Sequence, residues 1–207
     1  MSTFSIPAVI FAGGKSSRMG KDKALLPFGG ASSLSAFQYQ RLGRWFSQVY
    51  IATKERKFDF DAPLIFDAYE GASPLVALVS AFEALPQEEM LFVLSVDAPF
   101  ITKEVIASLI EKMQKNPSYD VVAAATQEGV EPLCAIYRRT ILPYAKKALA
   151  KDRHRMTALL SSVSSETVTF ENEKLFLNLN RPHEYEAALA YVTSSKREDV
   201  HLPTSGS

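Results

Sequence analysis

Short apolar runs alternate along the chain with segments in which apolar residues recur at helical spacing. The runs predict strands near 8–11, 48–53, 64–66, 90–95 and 121–125. The helical spacing predicts helices near 33–46, 74–85 and 102–115. Such alternation is typical of an α/β fold, in which helices cover a mostly parallel sheet.

From about residue 126 the pattern becomes looser. It predicts a strand over 131–137, helices near 140–150, 155–163 and 183–193, and strand pieces near 167–170 and 175–179. We expect residues 1–193 to form a single domain. Residues 194–207 lack a periodic apolar pattern and are expected to form a flexible tail.

Composition excludes several functional classes. The chain of 207 residues balances 23 basic against 23 acidic side chains, so it lacks the broad positive charge that a general nucleic-acid binder needs. No apolar run is long enough to cross a membrane, and the N-terminus does not have the pattern of a signal peptide. We therefore expect a cytoplasmic protein that binds neither nucleic acid nor membrane.

Cysteine and histidine usage narrows the chemistry further. Cys134 is the only cysteine and lies in an apolar segment, which predicts a packed core thiol rather than a nucleophile or a disulfide. The three histidines are not at metal-ligand spacing from one another, so a zinc site is not expected.

The segment 8–28 carries the strongest local signal. Its first strand ends at Gly13-Gly14, where the backbone can turn tightly and bring N–H groups against an anion. Four of the chain's 23 basic residues then fall within nine positions. They are Lys15, Arg18, Lys21 and Lys23. The pattern indicates a polyphosphate site, although a solvated basic loop is the alternative.

Two common phosphate motifs do not fit this segment. A P-loop would need glycine in place of Val9, and a dinucleotide fingerprint would need glycine in place of Lys15. A different phosphate-binding loop is therefore expected.

Two carboxylates follow other predicted strands and should lie at the same sheet edge as the glycine loop. Asp97 follows the very apolar strand 90–95, and its carboxylate suits Mg²⁺, which needs only one or two protein carboxylates when phosphates are bound. The alternative is a turn that caps the helix near 102. Asp67 follows the strand 64–66 and could bind a base or ribose, or cap a turn.

A glycine loop, a metal and Lys23 together suit transfer at a phosphorus atom. The expected event is attack of one phosphate on another, with pyrophosphate as the leaving group. Such chemistry needs no covalent protein nucleophile.

At this point the motifs resemble those of a known family, the molybdenum cofactor guanylyltransferases of the MobA type. The resemblance begins with Phe11-Ala12-Gly13-Gly14, Ser17-Arg18-Met19-Gly20 and Asp22-Lys23-Ala24-Leu25. It continues, in the family's order, through Ser73-Pro74-Leu75, Val96-Asp97-Ala98-Pro99-Phe100, Glu131-Pro132-Leu133, Asp152-Arg153 and Asn178-Leu179-Asn180-Arg181-Pro182. These motifs extend over roughly residues 7–190.

The resemblance implies a Rossmann-like, three-layer domain that transfers GMP from GTP to Mo-molybdopterin and releases pyrophosphate. A molybdoenzyme or a chaperone would receive the product. The implied assignments are guanine and sugar on the backbone of Phe11, Ala12, Gly13 and Gly14, phosphates on Lys23, nucleotide on Asp67, and Mg²⁺ on Asp97. Arg18, Lys23 and Asp97 are the implied catalytic residues.

The resemblance also implies that Asn180, Arg153 and Arg155 lie near the pterin phosphate. For Asn180 the alternative is a cap for the helix that begins at Pro182. For the two arginines it is an exposed, basic start of a helix.

Two departures from the family pattern affect the nucleotide side. Ala52-Thr53-Lys54 stands where guanylyltransferases often have an asparagine, and Val76-Ala77 replaces the usual Ala-Gly. A relative that uses CTP, or a sugar phosphate as acceptor, is therefore the alternative enzyme. A nucleotide-binding regulatory module without turnover is the alternative from another class.

Overall fold

A computed structural model of the chain describes residues 3–13 and 22–198, with side chains described up to residue 193. The described strands are β1 (Ala8–Phe11), β2 (Val49–Thr53), β3 (Leu64–Phe66), β4 (Met90–Ser95), β5 (Val121–Thr126), β6 (Gly129–Arg138) and β7 (Ser165–Thr169). The described α-helices are α1 (Leu34–Leu42), α2 (Pro74–Ala84), α3 (Lys103–Lys115), α4 (Leu142–Leu149), α5 (Met156–Leu160) and α6 (Pro182–Glu198). Short 3-10 helices span Lys23–Leu25, Arg139–Ile141 and Glu173–Phe176.

Within the described residues, seven strands form one sheet in the order β3-β2-β1-β4-β6-β5-β7. The pairs β1–β2, β2–β3, β1–β4 and β5–β7 are parallel. Strand β6 runs antiparallel to both of its neighbours, and a short turn joins it directly to β5. The prediction of a mostly parallel sheet is confirmed.

Side chains alternate in direction along each strand, and this divides the core between the two faces of the sheet. Ala8 and Ile10 belong to one buried cluster, which also contains residues of α1, α3 and α6. Val9 and Phe11 belong to the other cluster, with residues of α2, α4 and α5. Because successive side chains of a strand point to opposite faces, helices must cover both faces to bury these apolar residues. The predicted Rossmann-like, three-layer α/β architecture is confirmed.

The segment predicted as a strand piece at 175–179 has a different structure. Residues 173–176 form a 3-10 helix, at whose start the Asn172 side chain accepts a hydrogen bond from the Lys174 N–H. The Leu179 N–H then donates to the Asp97 carbonyl at 2.9 Å. Phe176 and Leu179 are buried in the core without pairing as a strand, whereas Leu177 is exposed.

The last helix extends further than its apolar pattern predicts. It runs to Glu198, so residues 194–198, expected to belong to the tail, continue α6. Residues 199–207 lie outside the described part of the chain. Among the described residues, no helix combines the length and the apolar character that crossing a membrane requires.

Candidate functional site

The parallel strands β1 to β4 end at one edge of the sheet, and the site is built there. Gly13 follows β1, Lys54 follows β2, Asp67 follows β3 and Asp97 follows β4. In open α/β sheets, ligands bind beyond the carboxyl ends of the strands. The predicted grouping at this edge is therefore present.

Lys23 connects the N-terminal loop with two segments distant in sequence. Its Nζ lies 2.5 Å from Oδ2 of Asp97 and donates to Oδ1 of Asn180 at 3.0 Å. The other Asp97 oxygen accepts a hydrogen bond from the Ser95 hydroxyl at 2.5 Å. The Lys23 and Asp97 side chains are only 15% and 14% exposed, so solvent screens their ion pair weakly. Three predicted site residues thus form one cluster, which we call the Lys23 cluster (Lys23, Asp97 and Asn180).

The contacts of Asp97 and Asn180 can be compared with their alternative structural roles as caps of α3 and α6. Both oxygens of Asp97 are engaged by side chains, Lys23 and Ser95, and not by the backbone of α3. At the start of α6, the Glu184 carboxylate accepts hydrogen bonds from the N–H groups of residues 180 and 181. The Asn180 side chain is turned toward Lys23 instead of capping the helix.

Lys57 holds together the two ends of the glycine loop. Its Nζ donates to the Ala12 carbonyl at 3.0 Å and lies 2.5 Å from Oδ2 of Asp22. Asp22 also caps the 3-10 helix that carries Lys23, by accepting from the Ala24 N–H at 3.0 Å. Sequence reasoning missed Lys57, which lies in a loop without a recognisable motif. The predicted residues Gly14 and Arg18 lie outside the described residues.

The fully buried side-chain amide of Gln38 binds the segment that carries Asp97. Gln38 on α1 donates to the carbonyls of Ser95, Val96 and Ala98 at 3.4, 3.2 and 3.0 Å. The Arg41 guanidinium binds the Gln38 side-chain oxygen and the Ile101 carbonyl. Burial lowers the pKa of Arg41 to about 10. Both side chains therefore position the loop after β4.

We expect the change Gln38→Leu to destabilise the protein by about 2–4 kcal/mol, because it leaves several buried carbonyls without a donor. The free energy of unfolding measured in urea tests this. Gln40→Leu, an exposed position on the same helix, is the matched control and should cost far less. Equal effects of the two changes would contradict the assignment.

Asp67 and the glycine loop line one cleft, which we call the first cleft. Its lining includes Phe11, Gly13, Lys54, Asp67, Ser73 and Leu133. A Cβ atom on Gly13 would lie 4.0 Å from Oδ2 of Asp67, so the two are neighbours. Burial raises the pKa of the Asp67 carboxyl, and the positive charge of Lys54 partly opposes that shift.

His154, which sequence reasoning did not assign to the site, contacts the wall of the first cleft. Its Nδ1 lies 2.9 Å from the hydroxyl of Ser73, which also accepts from the Val76 N–H at the start of α2. Its Nε2 lies 2.9 Å from a carboxylate oxygen of Asp152.

A second cleft borders the Lys23 cluster, because Asp97 and Asn180 line it. It encloses about 220 Å³ and is lined by Asp97, Ile101, Glu131, Phe176, Asn178 and Asn180, among others. Ser95 and Leu133 line both this cleft and the first. The two clefts therefore meet at the end of β4, beside Asp97.

The structure places Arg153 and Arg155 in a third, basic cleft together with Lys147, Lys151 and Tyr144. Asn180 lines the second cleft, whereas Arg153 and Arg155 line the third. The structure therefore does not place Asn180 and the two arginines in one cleft. The reason is local: Arg155 has extended backbone, and His154 between the arginines turns toward Ser73. Side chains alternate in direction along such a segment.

The Lys23 cluster has a donor set that fits Mg²⁺. A carboxylate oxygen of Asp97 and the amide oxygen of Asn180 converge on one cation, the Lys23 ammonium. Across the described ranges, no group of three or more His, Cys, Asp or Glu side chains is arranged to hold a metal. Mg²⁺ suits such a site, because it is held by one or two protein carboxylates together with substrate phosphates and waters.

Cys134 is a free, buried thiol, and burial raises its pKa. The prediction of a packed core cysteine is confirmed.

Comparison with known proteins identifies related sequences over most of the chain. Residues 8–167 match the family described as MobA-like NTP transferase domain. A molybdenum cofactor guanylyltransferase of Campylobacter jejuni subsp. doylei is 36% identical over 188 residues, which cover 90% of this chain and 96% of the relative. Another from Helicobacter pylori is 34% identical over 193 residues, covering 89% and 92%.

A solved structure shares the fold. Molybdopterin-guanine dinucleotide biosynthesis protein A from Archaeoglobus fulgidus superposes with a TM-score of 0.79 over 91% of this chain and 100% of that chain. At 17% identity this similarity concerns the fold alone.

Proposed function

The chain belongs to the MobA-like NTP transferase family, and from that premise we propose that it is a molybdenum cofactor guanylyltransferase. The reaction joins GMP from GTP to the terminal phosphate of Mo-molybdopterin. An oxygen of that phosphate bonds to the α-phosphorus of GTP, the bond from this phosphorus to the bridging oxygen breaks, and pyrophosphate leaves. The observation that carries the proposal is the Lys23 cluster at the junction of two clefts.

The first cleft receives the nucleoside of GTP. Phe11, Gly13 and Asp67 line this cleft, while the N–H and carbonyl of Ala12 already bind Ala52 and Lys57. A half-buried carboxylate accepts hydrogen bonds from the N–H groups of a base or the hydroxyls of a ribose. Gly14 and Arg18, which lie outside the described residues, are proposed as further nucleotide-binding residues.

The Lys23 cluster receives the triphosphate. The Lys23 ammonium neutralises phosphate charge, and Asp97 with Asn180 would hold Mg²⁺. When bound, Mg²⁺ neutralises the charge that develops on the phosphate oxygens. Lys57 binds both ends of the glycine loop and Gln38 binds the Asp97 segment, so these parts of the site are held before substrate binds. Catalysis then depends on positioning and charge neutralisation.

The second cleft receives the molybdopterin acceptor. It adjoins the first cleft at Ser95, so a phosphate bound there can approach the α-phosphorus of a nucleotide in the first cleft. Delivery of the product to a molybdoenzyme or a chaperone would follow release from this cleft.

Calorimetry with GTP, CTP, ATP and UTP, together with a transfer assay, tests this proposal. We expect GTP to bind at least about tenfold more tightly than CTP, a difference of about 1.4 kcal/mol. Pyrophosphate release should require GTP, molybdopterin and Mg²⁺ together, and chelation by EDTA should stop it. A preference for CTP would overturn the guanylyltransferase in favour of a cytidylyltransferase, and binding without turnover would favour a regulatory module.

A further inference from the structure

Glu131 is a half-buried carboxylate in the second cleft that the transfer steps above do not use. It lies on β6 and lines the cleft together with Asp97, Phe176 and Asn178. Within residues 3–13 and 22–198, its carboxylate receives no hydrogen bond. Burial and the negative charges of Glu128 and Asp97 raise its pKa. A carboxylate in these surroundings is stabilised most by a ligand that donates hydrogen bonds to it.

A register shift between β5 and β6 places Glu131 at this position. Ala123 pairs with Ala135, but the next residue, Ala124, pairs with Glu131, so residues 132–134 bulge away from β5. Pro132 suits a bulge because it has no N–H to donate to a neighbouring strand. The Tyr137 hydroxyl donates to the Pro132 carbonyl at 2.8 Å and closes the bulge. Bulges commonly redirect a side chain beside a functional site.

The rest of the cleft lining is partly apolar and partly polar. Ile101, Pro132 and Phe176 supply apolar surface, and polar side chains, among them Glu131, Asn178 and Asn180, supply about half of the lining. Ligand sites typically combine an apolar lining with a few such polar groups that orient the ligand. The cleft can therefore hold a heteroaromatic ring whose polar edge faces the carboxylate.

A pterin presents such an edge. Its ring N3–H and its 2-amino group are adjacent donors that point in one direction, and two carboxylate oxygens can accept from both at once. We infer that Glu131 binds this donor edge of the acceptor pterin in the second cleft, leaving the acceptor phosphate directed toward Asp97 and Lys23. The inference rests on the proposed function and adds to it a residue that selects the acceptor.

The test changes the hydrogen-bonding groups of the ligand and of the side chain at position 131. Lumazine differs from pterin in that an oxo group, an acceptor, replaces the 2-amino donor. Glu131→Gln replaces one carboxylate oxygen by an NH₂ group, which cannot face the pterin amine but can donate to the lumazine oxygen.

For the full chain we expect tighter binding of pterin than of lumazine, measured by quenching of ligand fluorescence. In Glu131→Gln, pterin affinity should fall by about 10–100-fold and the preference should reverse. The KM for molybdopterin should rise similarly, with the Kd for GTP unchanged. A wild-type protein without measurable pterin binding, or a variant with unchanged preference, would overturn the inference.

Glu128→Gln is the matched control. Glu128 is exposed in the turn between β5 and β6 and contributes negative charge near Glu131. The control should leave the preference between pterin and lumazine as it is. Equal effects of the two variants would assign the change to general electrostatics, and an altered Mg²⁺ requirement in Glu131→Gln would assign Glu131 to metal binding. Either result would overturn the inference.

The outcomes also separate the inference from the proposed function. Failure of the wild-type protein to transfer GMP would overturn the function, whatever pterin binding shows. Normal GMP transfer with an unchanged ligand preference in Glu131→Gln would overturn only the inference.

Discussion

Replacing Asp97 by asparagine is expected to lower kcat for GMP transfer by about a thousandfold. The change removes the negative charge that is proposed to hold Mg²⁺, and the loss of one such group at the reacting centre commonly costs about 10²–10³-fold. Asparagine keeps the size of the side chain, so the hydrogen bond from Ser95 can still form. Single-turnover assays with saturating GTP and Mg²⁺ measure the effect on the chemical step.

Asp59→Asn provides the matched control for this change. Asp59 is exposed and also accepts a serine hydroxyl, that of Ser32 at 3.0 Å, but it lies in the loop between β2 and β3. We expect its transfer rate to equal that of the wild-type chain. Full turnover by Asp97→Asn would remove the metal assignment, and circular dichroism of both variants checks that the fold is intact.

Replacing Lys23 by methionine is expected to reduce kcat/KM for GTP by about 10²–10³-fold. Methionine keeps the unbranched length of the side chain but loses the ammonium group, which binds Asp97 and Asn180 in the structure and is proposed to neutralise phosphate charge. Hydrogen bonds to charged groups contribute about 1.5–3 kcal/mol each, so the loss of more than one contact supports this magnitude. Steady-state kinetics with varied GTP measure it.

Lys146→Met tests whether loss of any lysine ion pair has the same effect. Lys146 lies 2.6 Å from a carboxylate oxygen of Glu83 at the surface, between α4 and α2. Its removal should leave kcat/KM within about twofold of the wild-type value, because this exposed pair lines neither the first nor the second cleft and contributes little to stability. If Lys23→Met retained wild-type kinetics, the proposed role at the phosphates would be wrong.

Much of the architecture could be predicted from local pattern. The apolar runs predicted β1 to β5, and helical spacing predicted the helices that cover both faces of the sheet. These signals are local because burial depends on the period of apolar residues within each element. The segment 175–179 shows the limit of this reasoning, since Phe176 and Leu179 are buried without forming a strand.

The site was predictable where a residue follows a strand or belongs to a motif. Asp67 and Asp97 follow β3 and β4, and Lys23 follows the glycine loop. The sequence indicates a role for Gln38 only weakly. Gln38 lies in the apolar stripe of α1 between Leu34 and Leu42, where a polar residue is unusual. Such a residue is buried only when it finds hydrogen-bond partners, here the carbonyls after β4.

The sequence by itself determined the strands, the helices and the types of residue at the ends of the strands, because these depend on neighbours within a few positions. Only the tertiary structure decided which side chains meet. Lys23 lies 74 and 157 positions from its partners Asp97 and Asn180, and the order of strands in the sheet brings them together. The same holds for Lys57 across the ends of the glycine loop and for Glu131, whose direction is set by a bulge. Contacts of this kind arise from packing across the whole sheet, which no local period of the chain encodes.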